Sequence, residues 1–412
     1  MQETILFTVD RDDYTVRAGL PPHDPRDNFA ARAAVLGKLE YIRKIAFSPK
    51  GQLYVIRDGD LYVGPLPSPK HDDWFSVAKR VGRGDWDTLK FFLFHPEGEL
   101  YAATYEGKLY KGPAPDNEYV PWLYAKATEI GGAGWDTLDA LFFDSKGMLH
   151  AVTLEDKLVK RSPPTSLSES WLDSSVTIGN QQWVSRTHFI SFAPDGKLWC
   201  IEYGEGDIYS GDPPVAGDGK YEAKNLGKGY SQYGFVAFTT DKIIQQIVSF
   251  EFLPDLGQTI SETLEVVNDE IYYNKKSTVT LHHTFSFEKT LTQSSEFTHE
   301  HGFMCEVGVE ITFNGGVPLV AEQGVTLSVN TSTSHNWNFT KANETSVTFS
   351  TSSEVEIPAG KAIRMIASVK KAEMEMPYRA HIRTMFGYET TIEGKWKGLT
   401  HYNLRVDQED IK

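Results

Sequence analysis

Apolar and polar residues alternate along one segment of the chain, from Gly302 to Val329. Alternation with a period of two predicts β-strands, because successive side chains of a strand point to opposite faces. The triplet Asn314-Gly315-Gly316 divides the segment and is predicted to form the turn of a β-hairpin. Each arm has roughly 9–11 residues, the length of a tilted strand that crosses a bilayer. The pattern therefore predicts a membrane-length hairpin within about residues 297–335.

The two faces of this hairpin differ in chemistry. The face expected to enter lipid consists of Phe303, Cys305, Val307, Val309, Ile311, Phe313, Leu319, Ala321, Val325, Leu327 and Val329. The opposite face carries Glu306, Glu310 and Glu322, which would line the lumen of a barrel and favour cations. An ordinary amphipathic strand pair that covers the core of a β domain shows the same alternation, and on pattern alone it is the commoner case.

A repeat occupies the first 240 residues or so. The sequence Phe-x-Pro-x-Gly-x-Leu-aromatic, with small variations, places glycines at Gly51, Gly98, Gly147 and Gly196, at intervals of 47, 49 and 49 residues. A proline-rich loop and a Trp or Tyr follow in each unit. Four short strands in fewer than 50 residues are typical of one propeller blade. Partial units at both ends, 3–40 and 234–241, would complete a fifth blade and remove the exposed sheet edges.

Past Asp241 the repeat stops and the chain becomes rich in Thr, Ser, Val and Glu. Long alternating runs predict strands of unusual length, and hence an elongated sheet. The expected fold class is all-β, with a five-bladed propeller over 1–241 and an elongated β-sheet domain with a pre-stem hairpin over 242–412.

Composition narrows the possible partners. The net charge is −15, which argues against nucleic acid, because nucleic-acid binding needs clustered Lys and Arg. The two cysteines, Cys200 and Cys305, are expected to be free thiols. We find no G-x-S-x-G, HExxH or P-loop motif, so we expect neither an enzyme nor a cofactor or metal site. The N-terminus lacks the pattern of a signal peptide, yet the other features predict a soluble protein that acts outside the cell.

The repeat, with its Pro-Pro loops, its Asp27-Asn28-Phe29 turn and its G-x-G-W turns, resembles tachylectin-2, a family of five-bladed propeller lectins. The resemblance implies binding of glycans that bear N-acetylglucosamine or N-acetylgalactosamine. In that family a sugar sits near each Asp-Asn-Trp turn, and the corresponding residues here are Asp27, Asn28, Phe29, Asp72, Asp73, Trp74, Trp122, Trp171 and Tyr221. The aromatic residue persists and the amide pair does not, so one or two competent sites, or a changed specificity, are expected.

The second half resembles the aerolysin family of β-pore-forming proteins. The resemblance rests on Gly302-Phe303, the run 314–322, the Ser/Thr strand that ends in Trp337, the turn 356–360 and Met376-Pro377-Tyr378. It implies an oligomeric ring on a target membrane and refolding of the pre-stem into a barrel. Two hypotheses follow. One is a lectin-targeted pore-forming protein used in defence or toxicity. The other is a non-lytic glycan-binding defence lectin whose C-terminal domain mediates assembly only.

Overall fold

The computed structural model describes residues 4–71, 73–168, 170–180, 183, 187–215, 221–299, 302–305, 309–320 and 327–411. The chain divides into two compact units, Met1–Lys242 and Ile243–Lys412. Strands dominate both units. The helices are short: α1 Phe29–Arg32, α2 Trp122–Ala125, and the 3₁₀ turns Trp74–Ser76, Trp86–Thr88, Trp135–Thr137, Tyr230–Gln232 and Pro254–Leu256. Among the described helices none has the length and apolar character needed to cross a membrane.

The strands of the first unit are short and follow one another through tight turns. In chain order they are β1 Thr4–Asp10, β2 Thr15–Gly19, β3 Ala34–Lys38, β4 Ile42–Phe47, β5 Leu53–Arg57, β6 Asp60–Gly64, β7 Lys79–Gly82, β8 Leu89–Phe94, β9 Leu100–Thr104, β10 Leu109–Gly112, β11 Thr128–Gly131, β12 Leu138–Phe143, β13 Leu149–Thr153, β14 Leu158–Arg161, β15 Val176–Gly179, β16 Thr187–Phe192, β17 Leu198–Glu202, β18 Ile208–Gly211, β19 Ala223–Gly227 and β20 Tyr233–Thr240.

These strands form five antiparallel sheets of four strands each within the described residues, and the prediction of a five-bladed propeller is confirmed. Four sheets are consecutive in the chain: β4–β7, β8–β11, β12–β15 and β16–β19. The remaining sheet has the order β20-β1-β2-β3 and joins the two ends of the unit. Its register runs from Thr4 opposite Thr240 to Asp10 opposite Tyr233. Closure through both ends therefore takes the form that the partial repeats predict.

The repeated glycine of each blade has the backbone conformation that its turn requires. Gly51, Gly98, Gly147 and Gly196 have φ values of 80°, 98°, 78° and 83°. Only glycine adopts this left-handed region without a steric penalty from Cβ, so the four glycine turns, three of them Pro-x-Gly, fix the same strand-to-strand reversal in four blades.

The second unit has much longer strands. They are β21 Ile243–Phe252, β22 Gln258–Tyr273, β23 Leu281–His299, β24 Met304–Cys305, β25 Thr312–Val320, β26 Leu327–Asn338, β27 Asn343–Ile357, β28 Ala362–Thr384 and β29 Glu389–Ile411. Seven of them make one sheet with the order β24-β21-β28-β29-β23-β27, in which β22 also pairs with β28. The 23-residue strands β28 and β29 confirm the prediction of an elongated sheet.

Strands β25 and β26 form a separate two-stranded sheet. Their register begins with Thr312 opposite Asn338 and ends with Val320 opposite Leu327. The hairpin exists, but the predicted turn at 314–316 is wrong, because these residues lie inside β25, which continues to Val320. Six of the site residues predicted from the sequence lie outside the described residues: Asp72, Glu306, Val307, Ala321, Glu322 and Val325.

The physical reason for this difference is a β-bulge. The register shifts between Gly315 and Val317, so the Gly-Gly pair absorbs an irregularity within the strand. A Cβ on Gly316 would come within 2.6 Å of Val329 Cγ1, and the Trp337 indole N–H donates to Gly316 O at 3.1 Å. Glycine is needed here because the two strands approach each other closely. In the sequence, a Gly-Gly pair with this role cannot be told from one that forms a turn.

Candidate functional site

Pairs of aromatic rings lie at four of the described junctions between neighbouring blades. One ring is the Trp or Tyr that follows the last strand of a blade, and the other comes from the loop before the last strand of the next blade. The pairs and their centroid distances are Trp86–Trp122 at 5.8 Å, Trp135–Trp171 at 5.3 Å, Trp183–Tyr221 at 5.7 Å and Phe29–Tyr230 at 6.1 Å. The aromatic residues that recur in the sequence repeat therefore form similar contacts at each of these junctions between blades.

Most of the predicted sugar-binding aromatics are buried in these junctions. Phe29 and Trp171 are each 2% exposed, and Trp122 is 4% exposed. Trp74, the equivalent residue of the second blade, is also 2% exposed but belongs to none of the four pairs. Three indoles also hold the proline-rich loops by hydrogen bonds from Nε1: Trp74 to Pro65 O, Trp122 to Pro113 O and Trp171 to Ser162 O, at 2.7–2.8 Å. Each ring therefore forms the floor beneath its loop, and only its edge borders the surface.

Tyr221 takes the corresponding place in the fifth blade. Its hydroxyl donates to Leu198 O, and burial raises the pKa of Tyr221 above the usual tyrosine value. Tyr221 therefore bonds a carbonyl of strand β17 through its hydroxyl, whereas the tryptophans of three other blades bond carbonyls of their proline-rich loops.

The Asp-Asn pair of the first blade serves the local structure. Asp27 receives Nε and Nη2 of Arg32 at 2.6 and 2.7 Å, and its side chain is 5% exposed. The hydrogen bond from Arg32 holds the pKa of Asp27 below its ordinary value. Asn28 caps α1 by accepting the Ala31 N–H at 3.1 Å. In the second blade Asp73 caps its 3₁₀ turn in a similar way, accepting from Phe75 N.

A small cleft lies between the second and third blades. One wall is the turn at 83–86 and the other is the segment 120–124, with the Trp86 and Trp122 rings between them. The rim is aromatic and charged: Tyr124 is 81% exposed, Tyr119 is 72% exposed, and the Arg83 guanidinium lies 4.8 Å from the Tyr119 ring centroid. The cleft thus offers an apolar floor with polar groups at its edge, the arrangement of a small-ligand site.

The charged rim is itself organised. Glu118 accepts hydrogen bonds from Arg83 at 2.8 Å and from Arg80, and these contacts lower the pKa of Glu118. The sequence motif Asp-Asn-Trp did not identify this rim. The third blade does have an Asp-Asn pair, Asp116-Asn117, but it precedes Trp122 by five or six residues instead of adjoining it. The glycine-rich turn Gly82-Arg83-Gly84-Asp85-Trp86 was the available signal, since Arg83 and Asp85 belong to it.

The second candidate element is the hairpin β25–β26, whose apolar side packs on the large sheet of the same unit. Phe313 stacks on Phe250 with centroids 4.2 Å apart, and Trp337 contacts Phe252 and Trp396 at 6.1 Å. The buried members of the predicted apolar face are Phe303, Ile311, Phe313 and Leu327, while Cys305, Val309 and Val329 are partly buried against the same cluster.

The remaining described positions of the hairpin fit the pattern less well. Leu319 is 38% exposed and its neighbour Pro318 is buried, because the bulge shifts the alternation by one residue. Glu310 is exposed and bonded to Lys341. Residues 295–299 pair with β29, and Met304 and Cys305 pair with β21, so both stretches belong to the large sheet.

The chain combines a five-bladed propeller that carries an inter-blade cleft with a β-sheet domain that carries a packed hairpin, and its two parts match a lectin family and a pore-forming toxin family. The family model for Tachylectin matches residues 8–235, more than half of the chain, and the chain belongs to that family. The model for Clostridium epsilon toxin ETX/Bacillus mosquitocidal toxin MTX2 matches residues 227–400.

Solved structures show similarity to both parts. A symmetrical protein, described as having emerged de novo under folding constraints, is 29% identical and covers 57% of this chain and 98% of its own, with a TM-score of 0.51. Lamprey immune protein is 14% identical over 76% of this chain and 87% of its own, with a TM-score of 0.34. The aerolysin-like protein of Bombina maxima is 12% identical over 40% of this chain and 98% of its own, with a TM-score of 0.27.

Proposed function

We propose that this protein binds N-acetylglucosamine or N-acetylgalactosamine on a target cell from the outside, assembles into a ring with other copies, and inserts its hairpin into the membrane. The observation that carries the proposal is the separate sheet β25–β26. Within the described residues, the hairpin contacts the large sheet through apolar side chains and not through strand pairing. Its release would therefore break few backbone hydrogen bonds within the large sheet.

Release of the hairpin from the sheet into water costs free energy. Burial of a large apolar side chain contributes about 1.5–3 kcal/mol. Ile311, Phe313, Leu327 and Trp337 are each at least nine-tenths buried against the sheet. Release in water exposes all of them, so the hairpin stays in place until another apolar environment is available.

A single hairpin gains little from lipid. Its outer edges would leave N–H and C=O groups unpaired in the hydrocarbon, at a cost of several kcal/mol each. A closed ring of hairpins pairs every edge. Insertion is therefore coupled to assembly, and assembly is favoured when copies are concentrated on one surface by several sugar contacts.

The cleft between Trp86 and Trp122 supports the sugar part of the proposal. Its apolar floor suits the methyl group of an N-acetyl substituent, and the rim groups near Arg83 and Glu118 can hydrogen-bond hydroxyls. We propose that the other blades bind sugar at the equivalent positions. The residues that would form these sites are Asp27, Asn28, Phe29, Asp73, Trp74, Trp171 and Tyr221.

A reversible disulfide tests the insertion step. A Cβ built on Gly257 lies 2.8 Å from Leu327 Cδ1, and Gly257 has an extended backbone with φ −77°. Gly257→Cys with Leu327→Cys, in a Cys305→Ala background, would join the hairpin to the segment after β21. We expect the oxidised protein to bind glycan-bearing liposomes without releasing a trapped dye, and the reduced protein to release it.

The matched controls are Gly257→Cys alone and Leu327→Cys alone, which should leak under both redox conditions. Leakage by the oxidised double variant, with the disulfide verified by mass spectrometry, would contradict hairpin insertion. Binding without leakage by the wild type and by every variant would instead favour the second candidate, a non-lytic glycan-binding defence lectin whose second domain mediates assembly only.

A further inference from the structure

Two tyrosines have a backbone conformation that aromatic residues rarely adopt. Among the described residues other than glycine, positive φ values occur at Tyr14, Tyr41, Asp58, Asp85, Asp156 and Asn403. Asp and Asn tolerate the left-handed region because their short side chains bond locally, whereas a bulky side chain there is a genuine outlier. Tyr14 and Tyr41 both have φ of 60°. The strain is therefore concentrated at two residues of the same type.

These two tyrosines contact each other. Their ring centroids are 5.4 Å apart with planes tilted by 46°, and Tyr41 is 61% exposed while Tyr14 is half-buried. Tyr14 ends the turn between β1 and β2, and Tyr41 immediately precedes β4, so the pair lies at the junction of the first and second blades. Two strained residues thus present one aromatic surface to solvent.

The corresponding positions of other blades have a different arrangement. The carbonyls of Gly59, Gly107 and Gly206 each accept a hydrogen bond from the backbone N–H of the aromatic residue that follows the last strand of the blade. These aromatic residues are Trp86, Trp135 and Tyr230. In the first blade the equivalent bond runs from Leu39 N to Tyr14 O at 3.1 Å. Tyr14 therefore replaces a glycine, and the buried Leu39 replaces the aromatic residue. Trp74 of the second blade stays buried, so this junction differs by the replacement of one aromatic residue by Leu39 and by the additional pair Tyr14–Tyr41.

The surroundings of the pair restrict its ligand. The two turns that hold the rings carry four carboxylates, Asp10, Asp12, Asp13 and Glu40, and one cation, Arg11. Arg17 and Lys38 on the adjoining strands offset part of this charge, since both interact electrostatically with Asp13 and Arg17 lies 4.0 Å from Asp10, but an excess of carboxylates remains. Excess negative charge disfavours anionic ligands, and carboxylates accept hydrogen bonds from hydroxyl groups. Tyrosine offers a rigid amphipathic contact with little loss of conformational entropy. A neutral, hydroxyl-rich ring with one apolar face matches this chemistry.

We propose that Tyr14 and Tyr41 form a second type of glycan site, which binds a neutral pyranose ring on their exposed surface. The proposal rests on the proposed lectin function and deepens it, because it assigns a ligand class to the junction that lacks the buried aromatic pair. Backbone strain persists where function requires it, and glycine at position 14 would remove the strain at once.

This relation between strain and binding provides the test. In Tyr14→Gly the first unit should melt about 2–4 °C higher, the size of shift expected when strain of this order is relieved in a unit of 150–250 residues. At the same time the affinity for a neutral methyl glycoside should fall roughly tenfold, as for loss of an aromatic contact residue. Tyr41→Gly should behave in the same way. Asp156→Gly is the matched control, because Asp156 has φ of 68° in the equivalent turn of the fourth blade, and it should gain stability without loss of binding.

Binding is followed at the site itself by ¹⁹F NMR of protein labelled with fluorotyrosine, with the Tyr14 and Tyr41 signals assigned from the two variants. The probes are methyl glycosides of galactose, N-acetylgalactosamine and N-acetylglucosamine, then sialic acid and phosphocholine. Shifts of both signals by a neutral glycoside alone support the proposal. Shifts caused by phosphocholine or sialic acid instead would overturn the ligand class.

Failure of this inference and failure of the proposed function give different results. If neutral glycosides bind the full-length protein but leave the Tyr14 and Tyr41 signals unchanged, the tyrosine site is refuted and the lectin function stands. If no glycoside and no glycan on an array binds the protein at all, both are refuted.

Discussion

Glu310 is a side chain whose partners would differ before and after the proposed insertion. In the packed hairpin it is bonded to Lys341, and both side chains are more than half exposed, at 54% and 63%. Exposed ion pairs contribute about 0–1 kcal/mol to stability. The contact therefore contributes little to keeping the hairpin on the sheet, and Glu310 is available for its proposed role in the lumen of the pore.

Glu310→Gln should reduce the preference of the proposed pore for cations, because a ring of carboxylates attracts cations electrostatically. The reversal potential in planar bilayers under a KCl gradient measures this change. The melting temperature should stay almost unchanged, since the surface pair contributes so little. Glu288→Gln, an exposed carboxylate on β23 outside the hairpin, is the control and should leave the reversal potential unaltered. A wild-type pore that prefers anions would refute the lumen assignment.

The tryptophans of the propeller illustrate a second point at the residue scale. Sequence comparison identified Trp74, Trp122 and Trp171 as recurring positions, and the structure shows that each bonds a carbonyl of its own blade. Repetition alone does not separate a packing role from a binding role, because both require the same residue at the same place in every blade. Exposure separates them, and it depends on the neighbouring blade.

At the scale of elements, the bulge in β25 determines how the hairpin is built. A Cβ at position 316 would lie 2.6 Å from Val329 Cγ1 and 2.8 Å from Asn330 O, closer than real contacts allow. The Gly-Gly pair lets β26 continue to Asn338, so that Trp337 reaches the centre of the apolar cluster. A turn at 314–316 would have placed Trp337 outside the hairpin.

Gly316→Ala should therefore destabilise the second unit by about 1–3 kcal/mol, the usual cost of overpacking. Urea denaturation followed by tryptophan fluorescence measures the change, and hydrogen exchange would locate it in β25 and β26. Gly132→Ala is the matched control, because a Cβ there meets no atom within 4 Å, and it should change the free energy of unfolding by less than about 0.5 kcal/mol. Equal stability of the two variants would contradict the bulge interpretation.

At the scale of the whole molecule, a lectin unit and a toxin-like unit form one chain, and this union carries the proposed order of events. Sugar contacts concentrate the protein, and concentration favours the ring that lets the hairpins enter lipid. Because several weak contacts act together, loss of each single contact has a large effect on the whole.

Free N-acetylglucosamine or N-acetylgalactosamine, well above its dissociation constant, should abolish dye release from glycan-bearing liposomes by occupying the clefts. Mannose at the same concentration is the control and should have no effect. The same sugars should not inhibit protein that is tethered to the liposomes through an engineered tag, since tethering replaces the lectin step. Inhibition of the tethered protein would show that the sugar acts after binding, against the proposed sequence of steps.

The amino-acid sequence alone determined the features that arise from local periodicity. The spacing of Gly51, Gly98, Gly147 and Gly196 predicted the blades, because each turn needs a positive φ wherever it occurs. The alternation after Gly302 predicted strands with one apolar face. The half-units at the two ends predicted the closure by β20 and β1, which needs only strand-forming segments in the right places.

The tertiary structure decided what depends on contacts between distant residues. It placed the hairpin connection after Val320, because Trp337 and Val329 require glycines at 315 and 316. It buried the repeated tryptophans between blades and brought Tyr14 against Tyr41, two residues 27 positions apart in the sequence. Periodicity records which face a side chain belongs to. Whether that face meets a neighbour or water is fixed only when the elements pack.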